Sequence, residues 1–573
     1  MRGSDPNEEG LRAIGRAIDD SRRPGGRGRR APTHEGSGAR RARRARPRRH
    51  RWLKRTLLIV AVVVVLAAGA GVGYGFYLNH EVHRVTVKGL TSGATTGGDA
   101  NTENILMVGS TTRCGLTHQT PAYGLCTQGV TGVNSDVVMI LHLNPSAHSV
   151  SILSLPRTLF IPNARSTSTG AYKIDAALAQ GPSQLVAAIE EDFAIPIQHY
   201  VELNFDTFAS IVTSLGGITM EFPVPVFDRF SGLRVFTTGC HHLDGVQALQ
   251  VVRARHLQYW VPGDTPNTPS TWPQEAQSDL ARIRRDHEFL RVLASKEAKR
   301  GLGNPVSDLS LINTVAPQLT VDSSLSPTAM VSLVLTFHSV DINKAPQYTL
   351  PVRVDTFGTY LYKGRHQGTI EFPTEPTDQS LVDKFLGLGP GTNTMTGEPL
   401  PSAGSVSVSV VNGTGTYDQA TQTATALGRL GFHMVGTGTT TPPAQESETL
   451  VTYSQRTPAV EAAAQLVADS ISGAVILDYG PTTDGAQVTV TTGTDFAVDQ
   501  TLPGHAATTP PSSTAGGSAA TGSTTSGSTA STASVASPPQ TTSFTSPSPA
   551  VEPLRPWDPR ACPAGAVGNS GNW

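Results

Sequence analysis

The chain is short of cysteine and of long apolar runs, and each shortage excludes something. Four cysteines in 573 residues are too few for a disulfide-dense scaffold. No second closely spaced Cys or His pair accompanies Cys114 and Cys126, which argues against a structural zinc site. Net charge is lacking as well: 44 Lys and Arg face 45 Asp and Glu, so no global field marks the chain for a polyanionic partner. One stretch alone, Thr56 to Leu78, is long and apolar enough to cross a bilayer, with 23 residues and no charged side chain. As a helix it measures roughly 34 Å against a hydrocarbon core of about 30 Å. It lacks a clear A-x-A exit, so a retained membrane helix is expected rather than a cleaved signal.

The neutral total conceals a basic head on an acidic body. Residues 1–55 hold 18 Lys and Arg against 6 Asp and Glu, leaving 26 basic and 39 acidic residues downstream. With so few apolar side chains the head cannot offset its ordering entropy and reads as a disordered, solvated arm. Positive charge stays on the cytoplasmic side of a span, which places this arm inside and everything after Leu78 outside. The arm is too short for a helix-turn-helix module, and no nucleic-acid partner is expected. Gly69 with Gly73, and Gly71 with Gly75, match the small-xxx-small pattern of packed membrane helices, though ordinary glycine in such a helix explains them equally well. Outside the membrane disulfides persist. Cys114 and Cys126 bracket a short polar loop, and a bridge there is worth about 3 kcal/mol in the chain-entropy model. Cys240 and Cys562 are left either paired or free.

Beyond a stalk at 79–103, folded character begins at Asn104. Short Val, Ile and Leu runs at 104–109, 136–143 and 149–155 predict buried strands. Helical patterns follow at 182–193, 205–215, 243–251 and 279–299, the last with Leu280, Ile283, His287, Leu290 and Leu293 near one face. Alternation of this kind predicts a layered α/β domain over 104–390. After a linker at 391–404, a second small α/β unit occupies 405–498, with strands at 406–411, 450–453, 474–477 and 488–490 and helices at 420–430 and 460–470. Residues 499–573 are rich in Ser, Thr, Pro, Ala and Gly, almost without apolar clusters, and predict a disordered tail.

The strongest local motif runs from Leu243-Asp244-Gly245 to Val252-Arg253-Ala254-Arg255-His256. On an extended segment Arg253 and Arg255 point the same way, two guanidinium forks for one anion, which suits a diphosphate. Asp279, Arg282 and Arg285 recur at three-residue spacing on the long helix and extend a cationic wall.

These blocks resemble the LytR-CpsA-Psr family, in order and spacing, from about Asn104 to Arg291. Asn104 to Ser110 looks like its opening strand, Ser135-Asp136 like its serine-aspartate strand, and Leu155-Pro156-Arg157 like its proline-arginine element. Lys173-Ile174-Asp175-Ala176, Val201 to Asp206, Leu215-Gly216-Gly217-Ile218, the Leu243 to His256 block and Asp279 to Arg285 follow in turn. Residues 406–496 resemble the small LytR C-terminal domain, through Val410-Val411-Asn412-Gly413-Thr414 and Val490 to Phe496. The resemblance implies an α/β/α domain with a central mixed sheet and an apolar lipid pocket. It implies a magnesium-dependent phosphotransferase that moves a glycan phosphate from a polyprenyl diphosphate carrier to peptidoglycan. Arg157, Arg253, Arg255, Arg282 and Arg285 then hold the phosphates, Arg113 joins them from the first loop, and Asp136 binds Mg2+.

Three positions depart from that pattern: Thr111 and Thr158 stand where the family has carboxylates, and Asn134 where it has an arginine. Magnesium prefers carboxylate oxygens and water, so Asp136 alone predicts a weak site, with Asp175 and Asp279 the next candidates. The alternative is a lipid-phosphate-binding scaffold of the same family with little turnover.

Overall fold

The computed structural model describes residues 82–91, 102–504 and 548–569, apart from short internal stretches. The expected arm at 1–55 and membrane span at 56–78 lie outside the described residues. Among the described residues no helix is long and apolar enough to cross a membrane.

The first domain is built on a seven-stranded mixed sheet. Its strands are β1 (His83–Val85), β2 (Glu103–Ser110), β3 (Ser135–Asn144), β4 (Ser149–Leu155), β5 (His199–Leu203), β8 (Thr320–Asp322) and β9 (Gln347–Thr349), in the order β1-β8-β5-β2-β3-β4-β9. Strands β6 (Ile218–Phe222) and β7 (Gly239–Leu243) pair antiparallel in a separate three-stranded sheet. β2, β3 and β4 make an antiparallel meander, while β5 joins β2 in parallel. Alternation along β2 sends Leu106 and Val108 into the core on one face and Met107 and Gly109 toward a cavity on the other. The core face is covered by α1 (Pro182–Phe193), whose Leu185, Val186, Ala188 and Ile189 are fully buried. The cavity face is covered by α2 (Phe205–Ser214), α3 (Gly245–Arg253) and α4 (Ser278–Lys299).

The Leu243-Asp244-Gly245 motif has a plain structural cause. The Asp244 carboxylate accepts from Gln247 N, and the Gln247 amide oxygen accepts from Asp244 N, a reciprocal cap that starts α3. A Cβ on Gly245 would lie 1.9 Å from Ala209 O, so only glycine lets α3 begin against α2.

The second domain has a five-stranded mixed sheet. It comprises β10 (Ser407–Asn412), β11 (His433–Thr439), β12 (Thr449–Tyr453), β13 (Val475–Tyr479) and β14 (Val488–Thr492), in the order β11-β10-β14-β12-β13. Helices at Gln419–Arg429 and Pro458–Ala468 pack on it. Asn412 Oδ1 accepts from the amides of Thr414 and Gly415, which folds the Asn412-Gly413-Thr414 turn. The described residues belong to one compact unit, and the two domains are joined by Arg456 to Glu191, Arg353 to Asp495 and Tyr360 to Glu448.

Three boundaries differ from expectation. Part of the stalk is structure: β1 adds to the sheet edge in parallel with β8, and Arg84 Nη1 donates to Leu325 O at 2.8 Å. The linker is packed, with Thr394 buried and donating to Ala194 O at 2.6 Å. Part of the expected tail is structure too: residues 548–569 return to the first domain. There β15 (Arg560–Ala561) pairs with β6, Cys562 is bonded to Cys240, and Trp557 stacks on Tyr259 at 3.9 Å. Composition could not show this, since the anchors are isolated residues: Glu552, Trp557, Asp558 and Cys562.

Candidate functional site

Two adjoining cavities lie on the open side of the seven-stranded sheet. The inner one, about 310 Å³, is mostly apolar, lined by Met107, Met139, Val201, Phe208, Leu249 and Phe289 among others, with Arg282 and Asp286 the charged groups it does not share with its neighbour. The outer one, about 330 Å³, is lined by Thr111, Arg113, Asn134, Asp136, Arg157, Phe230, Arg253, Arg255 and His256. Asp136 and Arg253 border both. A cationic mouth thus leads to an apolar interior.

Several elements supply the mouth. Asp136 stands at the start of β3, and Arg157 follows the end of β4. Arg157 pairs with Asp136 and, at 2.9 Å, with Asp175, while its backbone N–H donates to Asp279 Oδ2 at 2.9 Å. Arg282 reaches the same Asp279 at 2.9 Å and Asp286 at 3.7 Å. Arg255 lies 3.9 Å from Asp279. The guanidinium of Arg253 sits over the Phe205 ring at 4.3 Å and that of Arg113 at 5.3 Å, a cation–π arrangement that keeps both at the rim.

Buried donors are left over. Arg157 Nε, Arg255 Nε, Arg282 Nε and Arg282 Nη1 have no hydrogen-bond partner. Buried polar groups are normally satisfied, and guanidinium forks match phosphate oxygens. These donors therefore point to an anion as the expected ligand. Burial lowers the pKa of Arg157, Arg255 and Lys173 below their ordinary values, with nearby carboxylates opposing the shift. Their charge is held at a cost that an anion would relieve.

Some placements correct the sequence reading. Arg253 and Arg255 are not on one strand: Arg253 ends α3 and Arg255 follows the extended Ala254. The break in the helix, rather than strand alternation, brings both to the mouth. Arg282 and Arg285 do not form one wall: three-residue spacing leaves them on neighbouring parts of the helix surface, but their partners draw the two guanidiniums apart, Arg282 to Asp279 and Asp286. Arg285, 1% exposed, instead pairs with Glu275 and Asp558 and donates to Ala254 O. It belongs to the support behind the mouth, not to the mouth's lining.

The apparent loss of carboxylates is also partly corrected. Thr158 is buried and donates to Glu371 Oε2 at 2.8 Å. Glu371, on a strand 213 residues further along, brings a carboxyl to the position where Thr158 lacks one. Burial, reinforced by Asp279, pushes it up to about 8, with the Thr158 hydrogen bond opposing. Burial likewise pushes Asp286 up to about 7 against the pull of Arg282 and Arg285. No pattern near Thr158 could have revealed Glu371, because the contact is made by strand pairing late in the chain. Thr111 keeps a structural role, its hydroxyl accepting from Asn134 N at 3.0 Å. Cys114 and Cys126 are bonded, closing the loop beside Arg113.

Comparison with known proteins decides the family. Residues 79–375 match the model of the LytR_cpsA_psr family, more than half of the chain. The chain belongs to the LytR-CpsA-Psr family. Residues 405–496 match LytR_C, described as LytR cell envelope-related transcriptional attenuator. Among LytR-CpsA-Psr relatives, "Probable cell wall biosynthesis protein LcpB" of Corynebacterium glutamicum is 30% identical over 43% of this chain and 53% of its own length. The polyisoprenyl-teichoic acid–peptidoglycan teichoic acid transferase TagV of Bacillus subtilis is 25% identical over 45% of this chain and 60% of its own. The chain spans about half the length of the curated relatives it matches. A solved LytR-Csp2A-Psr enzyme from Actinomyces oris is 24% identical, covering 53% of this chain and 96% of that one, at a TM-score of 0.38.

Proposed function

We propose that this protein is a cell-wall glycopolymer phosphotransferase that takes a polyprenyl diphosphate-linked glycan as donor and a peptidoglycan hydroxyl as acceptor. The observation that carries the reading is the sharing of Asp136 and Arg253 by a cationic mouth and an apolar cavity. One amphiphile, with a diphosphate head and a prenyl tail, satisfies both at once. The naming of TagV as a polyisoprenyl-linked polymer transferase agrees with it.

In this reading Arg157, Arg253, Arg255 and Arg282 hold the diphosphate, and Arg113 closes the rim. The acceptor oxygen forms a bond to the glycan-side phosphorus as the bridging P–O bond breaks. Prenyl monophosphate departs, and the hydroxyl proton passes to it or to water. No covalent nucleophile from the protein is needed: positioning and charge neutralisation lower the barrier. Apolar walls around Met107, Met139 and Phe289 keep the tail out of water, so its burial contributes about 0.8 kcal/mol per CH2.

Magnesium fits in a restricted way. Among the described residues no group of three or more His, Cys, Asp or Glu forms a metal cage. Asp136, partly exposed at the mouth, suits an ion that commonly uses one or two carboxylates together with substrate phosphates and water. Such an ion would neutralise developing charge on the diphosphate. The main domains are extracytoplasmic in this proposal, anchored by the apolar run at 56–78, where both lipid carrier and peptidoglycan are reachable.

A second reading, a lipid-phosphate carrier or scaffold with little turnover, is favoured by one observation: Asp136 is already paired with Arg157. Full-length protein given a polyprenyl diphosphate-linked glycan, Mg2+ and peptidoglycan separates the two. Acceptor-dependent release of prenyl monophosphate supports the transferase. Saturable lipid binding with no release supports the scaffold and overturns the transferase.

A further inference from the structure

We propose that the C-terminal segment 548–569 is a positioning element of the cationic mouth, acting through Asp558 and Arg285 on the backbone between Arg253 and Arg255. The inference rests on the reading of the mouth as a diphosphate site. The segment lies outside both matched family regions, 79–375 and 405–496.

The chain of contacts is short. Arg285 donates one nitrogen to Ala254 O, the carbonyl between Arg253 and Arg255, and turns another to Glu275 and, at 3.5 Å, to Asp558. Glu275 is bonded through its own N–H to Leu257 O at 2.8 Å, so it is tied to the strip that carries Arg255. Asp558, fully buried, also accepts from Arg284 Nε at 2.6 Å and from Arg555 N at 2.7 Å. Glu552 takes Arg284 Nη1 at 2.6 Å, and Trp557 Nε1 donates to Glu275 at 3.0 Å.

Charge gives the segment its leverage. Arg284 and Arg285 are both buried, and among the described residues of the first domain Glu275 is the carboxylate ion-paired with them, with Asp286 also near Arg285. Glu552 and Asp558 supply the other carboxylates ion-paired with them. A buried guanidinium without its counter-charge is strongly unfavourable. If the segment's carboxylates are lost, Glu275 and the water that enters must serve both arginines. Arg285 then gives up its hold on Ala254 O, and the Arg253–Arg255 spacing is no longer fixed. The segment is itself anchored independently, by Cys562 to Cys240, by β15 on β6, and by Ser548 on Val352 at 3.0 Å.

The test uses full-length protein in detergent and farnesyl diphosphate as probe, with dissociation constants measured for wild type, Asp558→Asn, Arg255→Ala and the double variant. Asp558→Asn weakens binding at least fivefold, Asp558→Glu stays within twofold of wild type, and Asp558→Asn adds less than twofold in the Arg255→Ala background. Unchanged affinity in Asp558→Asn, or losses that multiply in the double variant, overturn the inference, since a general loss of structure is indifferent to Arg255. Should Asp558→Asn fail to fold, Arg285→Lys, which keeps the charge but loses the fork, takes its place with the same expectations. If wild type does not bind the probe, or Arg255→Ala binds as wild type does, the reading of the mouth itself fails and the inference falls with it.

Discussion

Helix α4 carries three arginines within four residues, and they have opposite surroundings. Arg282 lines the inner cavity, with Asp279 and Asp286 beside it, and keeps two nitrogens without a hydrogen-bond partner. Arg284 faces away and has all three nitrogens on carboxylates: Glu275, Glu552 and Asp558. Arg285 is intermediate, with Nε unpartnered but both terminal nitrogens engaged. Sequence spacing alone treats the three alike. What distinguishes a ligand-binding guanidinium from a structural one is the donor capacity its neighbours leave unused.

The largest effect should come from breaking the satisfied side. Arg284→Ala leaves Glu552 and Asp558 buried without their main partner and should cost about 3–5 kcal/mol of stability, as for other broken buried ion pairs. Urea denaturation measures this. A loss under about 1 kcal/mol would mean that the cluster is hydrated and that the comparison does not hold.

Arg255→Ala should do the reverse. Arg255 makes only a long ion pair within the protein, 3.9 Å to Asp279, so its removal leaves stability nearly unchanged and costs about 1.5–3 kcal/mol of diphosphate affinity, the worth of a charge-assisted hydrogen bond. Calorimetric titration with farnesyl diphosphate, beside a melting curve, reads both quantities. If stability falls as much as in Arg284→Ala, the mouth is a structural cluster like its neighbour.

This contrast also explains what was legible. Most central strands and the helices that frame the two sheets followed from periodicity, and α1 has the boundaries that its pattern predicts, Pro182–Phe193, whereas the helices at Pro327–Phe337 and Thr377–Leu386 were not expected. Arg157, Arg253, Arg255 and Asp136, singled out from short family motifs, line one cavity because the fold brings those blocks together at strand and helix ends. What stayed hidden depends on distant partners. Glu371 reaches Thr158 across 213 residues, and Asp558 reaches Arg284 across 274. Neither carboxylate sits in a periodic or motif-rich stretch, so local patterns carry no signal for them. Edge strand β1 escaped notice because three residues are too few to show alternation.

A smaller effect tests the carboxyl that stands in at Thr158. Burial raises Glu371 from an ordinary 4.5 to about 8. For a group raised on folding, the stabilising contribution is fully present below the unfolded value and is lost as pH rises through the folded one. Melting temperature should therefore decline between about pH 5 and pH 8. Glu371→Gln keeps an acceptor for Thr158, removes this dependence, and should gain more than about 1.4 kcal/mol at pH 8, the equivalent of one pKa unit. A wild-type melting temperature flat across that range would show that Glu371 is ionised and solvated.

The central claim is that mouth and cavity receive the two ends of one molecule. A crystal structure of the protein with geranylgeranyl diphosphate tests it most directly. The account predicts phosphate oxygens within hydrogen-bonding distance of Arg255 and Arg282, and the tail lying along Met107, Met139 and Phe289. Phosphates seated at Arg284 and Arg285, or a tail lying outside the cavity with the head at the mouth, would contradict it.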